Sequence, residues 1–215
     1  MAVTAGGTQE PIDPVRVVAN RSSGKQGFAL AQAALDAGAE VTLIAGPVAL
    51  PPPVGAEHVA VWTAQDMAEA VLQACQDADA LLMAAAVADF RPLQAAAQKL
   101  KKERGTPTLL LEPTPDILSA VAEQRGQTGY PRVVVGFAAE TEDLLANARA
   151  KLRAKGLDLI AANDVSAPDA GFAVDTNRVT LLRADGAVEA LPLLSKAEVA
   201  ERIVARAIAL LGEEG

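Results

Sequence analysis

The residues best placed by type and spacing to do chemistry are Asn20-Arg21-Ser22-Ser23-Gly24-Lys25-Gln26-Gly27, between a glycine-rich opening and the first amphipathic stretch. Serines that can cap a helix, two glycines that let a ligand approach the backbone, a lysine and the Asn20 amide fall within eight residues. Oriented N–H groups and positive charge would converge there on an anion. An ordinary capped helix start is the alternative, but a cap alone calls for neither the glycines nor the lysine.

Further candidates lie downstream. Asp89, beside Phe90, could hold a sugar hydroxyl, a base or a metal ion, or could cap a loop. Lys99, Lys101 and Lys102 form a basic stretch that is either a ligand contact or a solvated loop. Phe137 could stack on a base or pack in the core. Lys151 and Lys155, four apart, share one helix face, where a last turn balancing the helix dipole also accounts for them.

Known phosphate-binding patterns do not fit. The glycine fingerprint of dinucleotide binding is absent after the first strand, and the second strand runs into Ala45-Gly46-Pro47 without a carboxylate for a ribose. Tyr130, the only tyrosine, has Val134 four residues later, so the Tyr-x-x-x-Lys pair of short-chain dehydrogenases is missing. Gly24-Lys25 is followed by Gln26 and preceded five residues earlier by Ala19, which breaks the P-loop pattern.

Composition narrows the class. The 215 residues suit one domain with a sizeable core, and alanine-rich apolar content with few aromatics suits helices packed closely on aliphatic strands. A net charge of -8 argues against a general nucleic-acid or anionic-membrane binder, so a polyanionic ligand must be met by local positive clusters. No apolar run approaches the roughly 18 residues of a membrane span and no signal core opens the chain, so a cytoplasmic protein is expected. Cys75 is the only cysteine and predicts a buried structural thiol; His58, the only histidine, predicts a surface residue and excludes a multi-histidine metal site.

These residues need elements to hold them. Val3-Thr4 predicts the stub of a first strand, and a long loop over 9–22 containing Pro11 and Pro14 follows it. Apolar spacing predicts a helix from Gly24 to Ala37, capped by serine and stopped by Gly38; strands are predicted at Val41-Thr42-Leu43-Ile44 and over 59–61. Thr63 with Asp66 caps a helix to about Cys75, and a buried strand over 80–84 follows. Residues 108–111 predict a strand, and Thr114-Pro115-Asp116 a helix start with cap, proline and acid in order.

Residues 132–136 predict the next strand, which Phe137 follows. Thr141 should cap a helix ending at Lys155-Gly156, and a strand over 159–161 leads into a loop over 163–173. Residues 179–183 and 188–191 flank Ala184-Asp185-Gly186 as a hairpin, and Ser195 with Glu198 forms a capping box for a last helix to about Leu211. Alternating strands and helices imply a doubly wound, mainly parallel α/β sheet of Rossmann-like type, one domain over 1–215, with a C-terminal β-hairpin and final helix. Ligands of such sheets sit outside the carboxyl ends of the strands. Four segments fall there: 5–8, 85–91, 137–141 and 163–165.

Together these segments resemble the phosphopantothenate-cysteine ligase family, the ligase half of the bacterial bifunctional protein of coenzyme A synthesis. The likeness runs from Thr4-Ala5-Gly6-Gly7-Thr8-Gln9-Glu10-Pro11-Ile12-Asp13-Pro14-Val15-Arg16 through the 20–27 stretch, Ala88-Asp89-Phe90-Arg91-Pro92 and Lys99-Leu100-Lys101-Lys102. It continues in Pro113-Thr114-Pro115-Asp116-Ile117-Leu118, Gly136-Phe137-Ala138-Ala139-Glu140-Thr141 and Ala162-Asn163-Asp164-Val165. The flavin-dependent decarboxylase half that precedes the ligase in most bacterial proteins is not in this sequence, so no flavin is expected, and that domain is either separate or missing.

The resemblance implies activation of the 4′-phosphopantothenate carboxylate by CTP to an acyl-cytidylate and pyrophosphate, followed by attack of L-cysteine to give phosphopantothenoylcysteine and CMP. Asn20 matches the asparagine that holds the intermediate, and Lys99 the lysine required to form it. Asp89, Lys99, Phe137, Lys151, Lys155 and the turn Pro115, Asp116, Ile117, Leu118 match nucleotide contacts. Ser22, Gly24, Gly27 and Asn163 match substrate or phosphate contacts, with Gly7, Asn20 and Ala85 in the same group. A magnesium ion bridging the phosphates is implied, with its protein ligands unassigned, as is a homodimer built in part by residues 163–192. Two other classes remain: a nucleotide-binding sensor without catalysis, and an NAD(P)-dependent oxidoreductase, against which the missing fingerprint counts.

Overall fold

The computed structural model describes residues 1–101, 108–140, 143–164 and 174–213. In chain order the first half holds β1 (Ala2–Ala5), β2 (Gln9–Pro11), β3 (Val17–Ala19), α1 (Lys25–Asp36), β4 (Thr42–Ala45), β5 (Glu57–Ala60), α2 (Ala64–Ala74), β6 (Ala80–Met83), β7 (Phe90–Pro92) and β8 (Leu111–Pro113). The second half holds α3 (Ile117–Thr128), β9 (Val133–Glu140), α4 (Leu144–Ala154), β10 (Leu159–Asp164), β11 (Thr176–Asn177), β12 (Val179–Arg183), β13 (Val188–Ala190), β14 (Leu194–Ser195) and α5 (Lys196–Glu213).

Side chains alternate across a strand, so strands buried on both faces are apolar throughout and feed two cores. Val3, Leu43, Leu82, Val135, Leu159 and Leu181 pack with Leu30 and Ala34 of α1 and Ile203 and Val204 of α5. Their neighbours Ala2, Ile44, Leu81, Val134, Ile160 and Leu182 pack on the other face with Met67, Val71, Val121, Ala148 and Leu152 of α2, α3 and α4. The eight-stranded sheet runs β13-β12-β10-β9-β6-β1-β4-β5. From β5 to β10 the pairs are parallel, while β12 and β13 join antiparallel. Read from β5 to β10, the order is that of a dinucleotide-binding sheet, and its switch point lies between β1 and β6.

β1 is more than a stub: its four residues are buried and paired to β4 on one side and β6 on the other. The expected loop over 9–22 instead contains the antiparallel pair β2–β3. Residues 90–92 form β7 and pair with β8, which lies at 111–113 instead of 108–111, outside the main sheet. The cap of α3 is Asp116 itself, whose side chain accepts from Ser119 N at 3.2 Å, whereas Thr114 Oγ1 donates to Ala88 O at 2.6 Å. Phe137 lies within β9, which continues to Glu140. Thr141 lies outside the described residues, and α4 starts after Asp143.

The capping boxes of α2 and α5 form as the sequence implies. Asp66 N donates to Thr63 Oγ1 while Asp66 accepts from Thr63 N, and Glu198 exchanges the equivalent bonds with Ser195. The hairpin around 184–186 also forms, as β12 and β13 at the sheet edge. Cys75 is buried at the end of α2, and His58 is exposed on β5. Among the described residues no helix is long and apolar enough to cross a membrane.

Candidate active site

At the switch point the ends of β1 and β6 are tied together before either presents a functional group. Gly7 bridges Ala86, Ala86 N donates to Gly6 O at 2.8 Å, and Thr4 Oγ1 and Thr8 Oγ1 accept from Ala85 N and Ala88 N at 3.0 and 2.9 Å. The two loops therefore form one rim. A cavity of about 700 Å³ opens at it, a volume within the ordinary range of ligand sites.

One wall is the start of α1. Asn20 Nδ2 donates to Val87 O at 2.8 Å and fastens this loop to the rim. The expected serine cap does not form: Gly24 is the N-cap at φ 75°, with its N–H 3.3 Å from Ser22 Oγ. The glycines are also required by packing. A Cβ on Gly27 would lie 2.5 Å from Ala5 Cβ and 2.7 Å from Thr4 O, and one on Gly24 would lie 2.8 Å from Val48 Cγ1. The missing side chain of Gly27 lets α1 seat directly on β1, and that of Gly24 leaves room for Val48.

The opposite wall combines the turn before α3, β9 and α4. Pro115, Asp116, Ile117 and Leu118 line it with Phe137, Lys151 and Lys155. Lys151 Nζ donates to Phe137 O at 2.7 Å; Lys155 Nζ bonds Asp116 and reaches Ser119 Oγ at 3.1 Å. Partial burial works to raise the Asp116 pKa, but the hydrogen bonds from Lys155 and Ser119 outweigh it and hold the carboxyl below its ordinary range.

The back of the cavity is a relay of amides. Gln26 Nε2 donates to Lys196 O at 3.1 Å, Asn177 Nδ2 to Gln26 Oε1 at 2.9 Å, and Asn163 Nδ2 to Asn177 Oδ1 at 3.3 Å. Lys196 lines this end and is only 7% exposed; burial lowers its pKa, the nearby Lys25 ammonium adds to the effect, and Asp175 opposes it. Lys25 Nζ meets Asp175 Oδ1 at 2.5 Å.

Four lysines, Lys25, Lys151, Lys155 and Lys196, thus line the cavity against the two carboxylates Asp89 and Asp116. In a chain of net charge -8 this is a local reversal of sign suited to a polyanion.

The cavity gathers Asn20, Ser22, Gly24, Gly27, Ala85, Asp89, Pro115, Asp116, Ile117, Leu118, Phe137, Lys151, Lys155 and Asn163. Gly7 stands behind it, where a Cβ would be 3.0 Å from Asn20 O. Lys99 is exposed and does not line the cavity, as is true of Lys101; Lys102 and Val165 lie outside the described residues. Asn177 and Lys196 are not marked by the sequence reading, and Gln26 is marked only as a member of the 20–27 stretch. Lys196 did carry a signal: it is the first residue of α5, where the helix dipole disfavours a cation.

Residues 1–211 match the family described as "DNA/pantothenate metabolism flavoprotein C-terminal domain". The chain is 48% identical over 216 residues to the coenzyme A biosynthesis bifunctional protein CoaBC of Bacillus subtilis, covering 100% of this chain and 52% of that protein. It is 52% identical over 212 residues to CoaBC of Mycobacterium bovis, covering 95% of this chain and 50% of that protein. The chain therefore spans about half the length of the curated relatives it matches. Among solved structures, the C-terminal domain of a CoaBC superimposes with a TM-score of 0.82 at 42% identity, covering 100% of this chain and 95% of that one.

Proposed function

Because the chain belongs to the DNA/pantothenate metabolism flavoprotein C-terminal domain family, we propose that it is a phosphopantothenate-cysteine ligase of coenzyme A biosynthesis that works with CTP through an acyl-cytidylate. The observation that carries this proposal is that one cavity has the 20–27 loop on one side and the 115–118 turn, Phe137, Lys151 and Lys155 on the other. Two reactants, a carboxylic acid that carries a phosphate ester and a nucleotide, can meet there in one pocket.

In the first step the substrate carboxylate oxygen bonds to the α-phosphorus of CTP and the bond to the β-phosphate oxygen breaks, releasing pyrophosphate. Negative charge gathers at the phosphates and the cavity lysines offset it, with Lys99 assigned to the same step by family resemblance. In the second step the cysteine amine attacks the acyl carbon, loses a proton and expels CMP. Asn20, a neutral amide held at the rim, orients the acyl group without reacting. Phe137 and the 115–118 turn supply a face and edges for the base; the preference for CTP over ATP is part of the proposal and rests on family resemblance.

No group of three or more His, Cys, Asp or Glu that could hold a metal occurs among the described residues. Magnesium carried by the triphosphate is part of the proposal, with Asp89, one of the two cavity carboxylates, as the residue that would hold it. Bound there, it would supply charge neutralisation at the leaving pyrophosphate. No flavin enters the scheme.

A homodimer and a cytoplasmic setting complete the proposal. The 163–192 segment is one candidate contact. The β7–β8 hairpin is the other, since it leaves Phe90, Leu93, Leu110 and Leu111 between 48 and 66% exposed.

Product analysis with all reactants tests the assignment. Phosphopantothenoylcysteine, CMP and pyrophosphate should form in equal amounts, and faster with CTP than with ATP. Tight CTP binding without any pyrophosphate would instead make the chain a nucleotide sensor.

A further inference from the structure

Asp13 is 3% exposed, in the turn between β2 and β3. Its Oδ1 accepts from Val15 N at 2.8 Å and Arg16 N at 2.9 Å, which closes the turn. An asparagine would do as much. The second oxygen reaches elsewhere: Oδ2 accepts from Leu100 N at 3.1 Å, and Arg16 Nε lies 3.5 Å from it. Arg16 Nη2 in turn donates to Leu100 O at 2.5 Å. Both main-chain polar groups of the residue after Lys99 are therefore held by the side chains of Asp13 and Arg16, and Ala96 N is tied to Ile12 O at 2.9 Å.

The other end of this hairpin is anchored in the body of the fold. Glu10, 2% exposed, accepts on Oε1 from Ala64 N at 2.8 Å at the start of α2, and Gln9 N donates to Trp62 O at 2.8 Å. The hairpin is thus a strut between the α2 terminus and the Lys99 segment. Lys99 itself is exposed and off the cavity wall, so where its ammonium can act depends on what holds its neighbours.

We propose that Asp13, seconded by Arg16, is a positioning residue for Lys99: its buried carboxylate serves the nucleotidyl-transfer first step through Leu100, beyond closing its own turn. The proposal rests on the ligase assignment above and deepens it. A purely structural Asp13 would affect both half-reactions alike, whereas a positioning Asp13 affects only the one that needs Lys99.

Asp13→Asn isolates the point. Its Oδ1 keeps the bonds to Val15 and Arg16, while its Nδ2 faces the Leu100 N–H donor to donor. Two rates are measured on the full 215-residue chain: pyrophosphate release from CTP and phosphopantothenate without cysteine, and conversion of synthetic phosphopantothenoyl-cytidylate by cysteine. The first should fall about tenfold or more, as expected for loss of a hydrogen bond to a charged group, and the second should stay within about twofold. Arg16→Gln should show the same selectivity and decides the matter if Asp13→Asn fails to fold. Equal losses in both steps, or no loss in the first, overturn the proposal while leaving the ligase assignment intact. A wild-type chain that releases no pyrophosphate overturns the ligase assignment and this inference with it.

Discussion

The Nδ2 of Asn20 donates to the main-chain oxygen of Val87 across 2.8 Å, joining the loop after β3 to the loop after β6. One side-chain amide thereby fixes the rim of the cavity from which two reactants would be approached. Asn20→Asp, nearly isosteric, sets a carboxylate oxygen against the Val87 carbonyl and loses the tether. With all reactants present, this variant should accumulate acyl-cytidylate because cysteine attack slows. Lys99→Gln should form none. Quenched reaction mixtures resolved by chromatography check the contrast, and identical profiles for the two variants would refute the division of labour.

Gly27→Ala should destabilise the fold although alanine favours helix by about 1 kcal/mol. The new methyl would lie 2.5 Å from Ala5 Cβ and 2.7 Å from Thr4 O, so α1 must lift from β1. Overpacking of this kind costs about 1–3 kcal/mol, which outweighs the propensity gain. Gly126→Ala in α3 is the control: nothing lies within 4 Å of its Cβ, and it should stabilise by up to about 1 kcal/mol. Urea midpoints compare the two. A Gly27→Ala midpoint at or above wild type contradicts the packing account.

Cys75 ties pH to stability with a definite sign. Burial pushes its thiol up to about 12, and the nearby N-terminal ammonium only partly opposes that. The unfolded chain loses this proton near its ordinary value of 9.0 while the folded chain retains it. The contribution is thus fully present below pH 9 and is lost as pH rises toward 12, by up to roughly 4 kcal/mol. Cys75→Ala should show a flatter decline of melting temperature across that window. Native protein should also resist a thiol reagent at pH 8 and react once unfolded.

The two candidate dimer contacts separate by mutation. Phe90→Glu and Leu110→Glu place charge on an exposed apolar hairpin surface, where the residues are 52 and 66% exposed. Val188→Glu, 45% exposed on β13, does the same at the sheet edge. If β7–β8 forms the contact, sedimentation should show monomers for the first two variants and dimers for the third. The reverse pattern would assign it to residues 163–192.

Where the information was local, the sequence sufficed. The capping boxes Thr63–Asp66 and Ser195–Glu198 and the Asp185-Gly186 turn are each set by residues three or fewer apart, and they form. The run of buried strands implies the doubly wound sheet that forms, and three of the four segments expected at their ends contribute to one cavity through 85–89, Phe137, Ala138 and Asn163, while Gly6 and Gly7 of the 5–8 segment brace its rim from behind. What escaped depends on distant partners. β2–β3 has no alternating pattern to mark it, because its buried side chain Glu10 is polar and satisfied by Ala64 N, 54 residues away. Gln26 and Asn177 acquire meaning only by meeting across 151 residues. The packing requirement on Gly24 and Gly27 is likewise invisible locally, because the Ala5 and Val48 atoms next to their Cβ positions come from other elements.

Omitting cysteine tests the central claim most directly. With CTP and phosphopantothenate alone, the wild-type chain should release pyrophosphate and retain an acyl-cytidylate that mass spectrometry detects, and added cysteine should discharge it to phosphopantothenoylcysteine and CMP. A chain that binds CTP but yields neither pyrophosphate nor acyl-cytidylate would contradict the ligase mechanism.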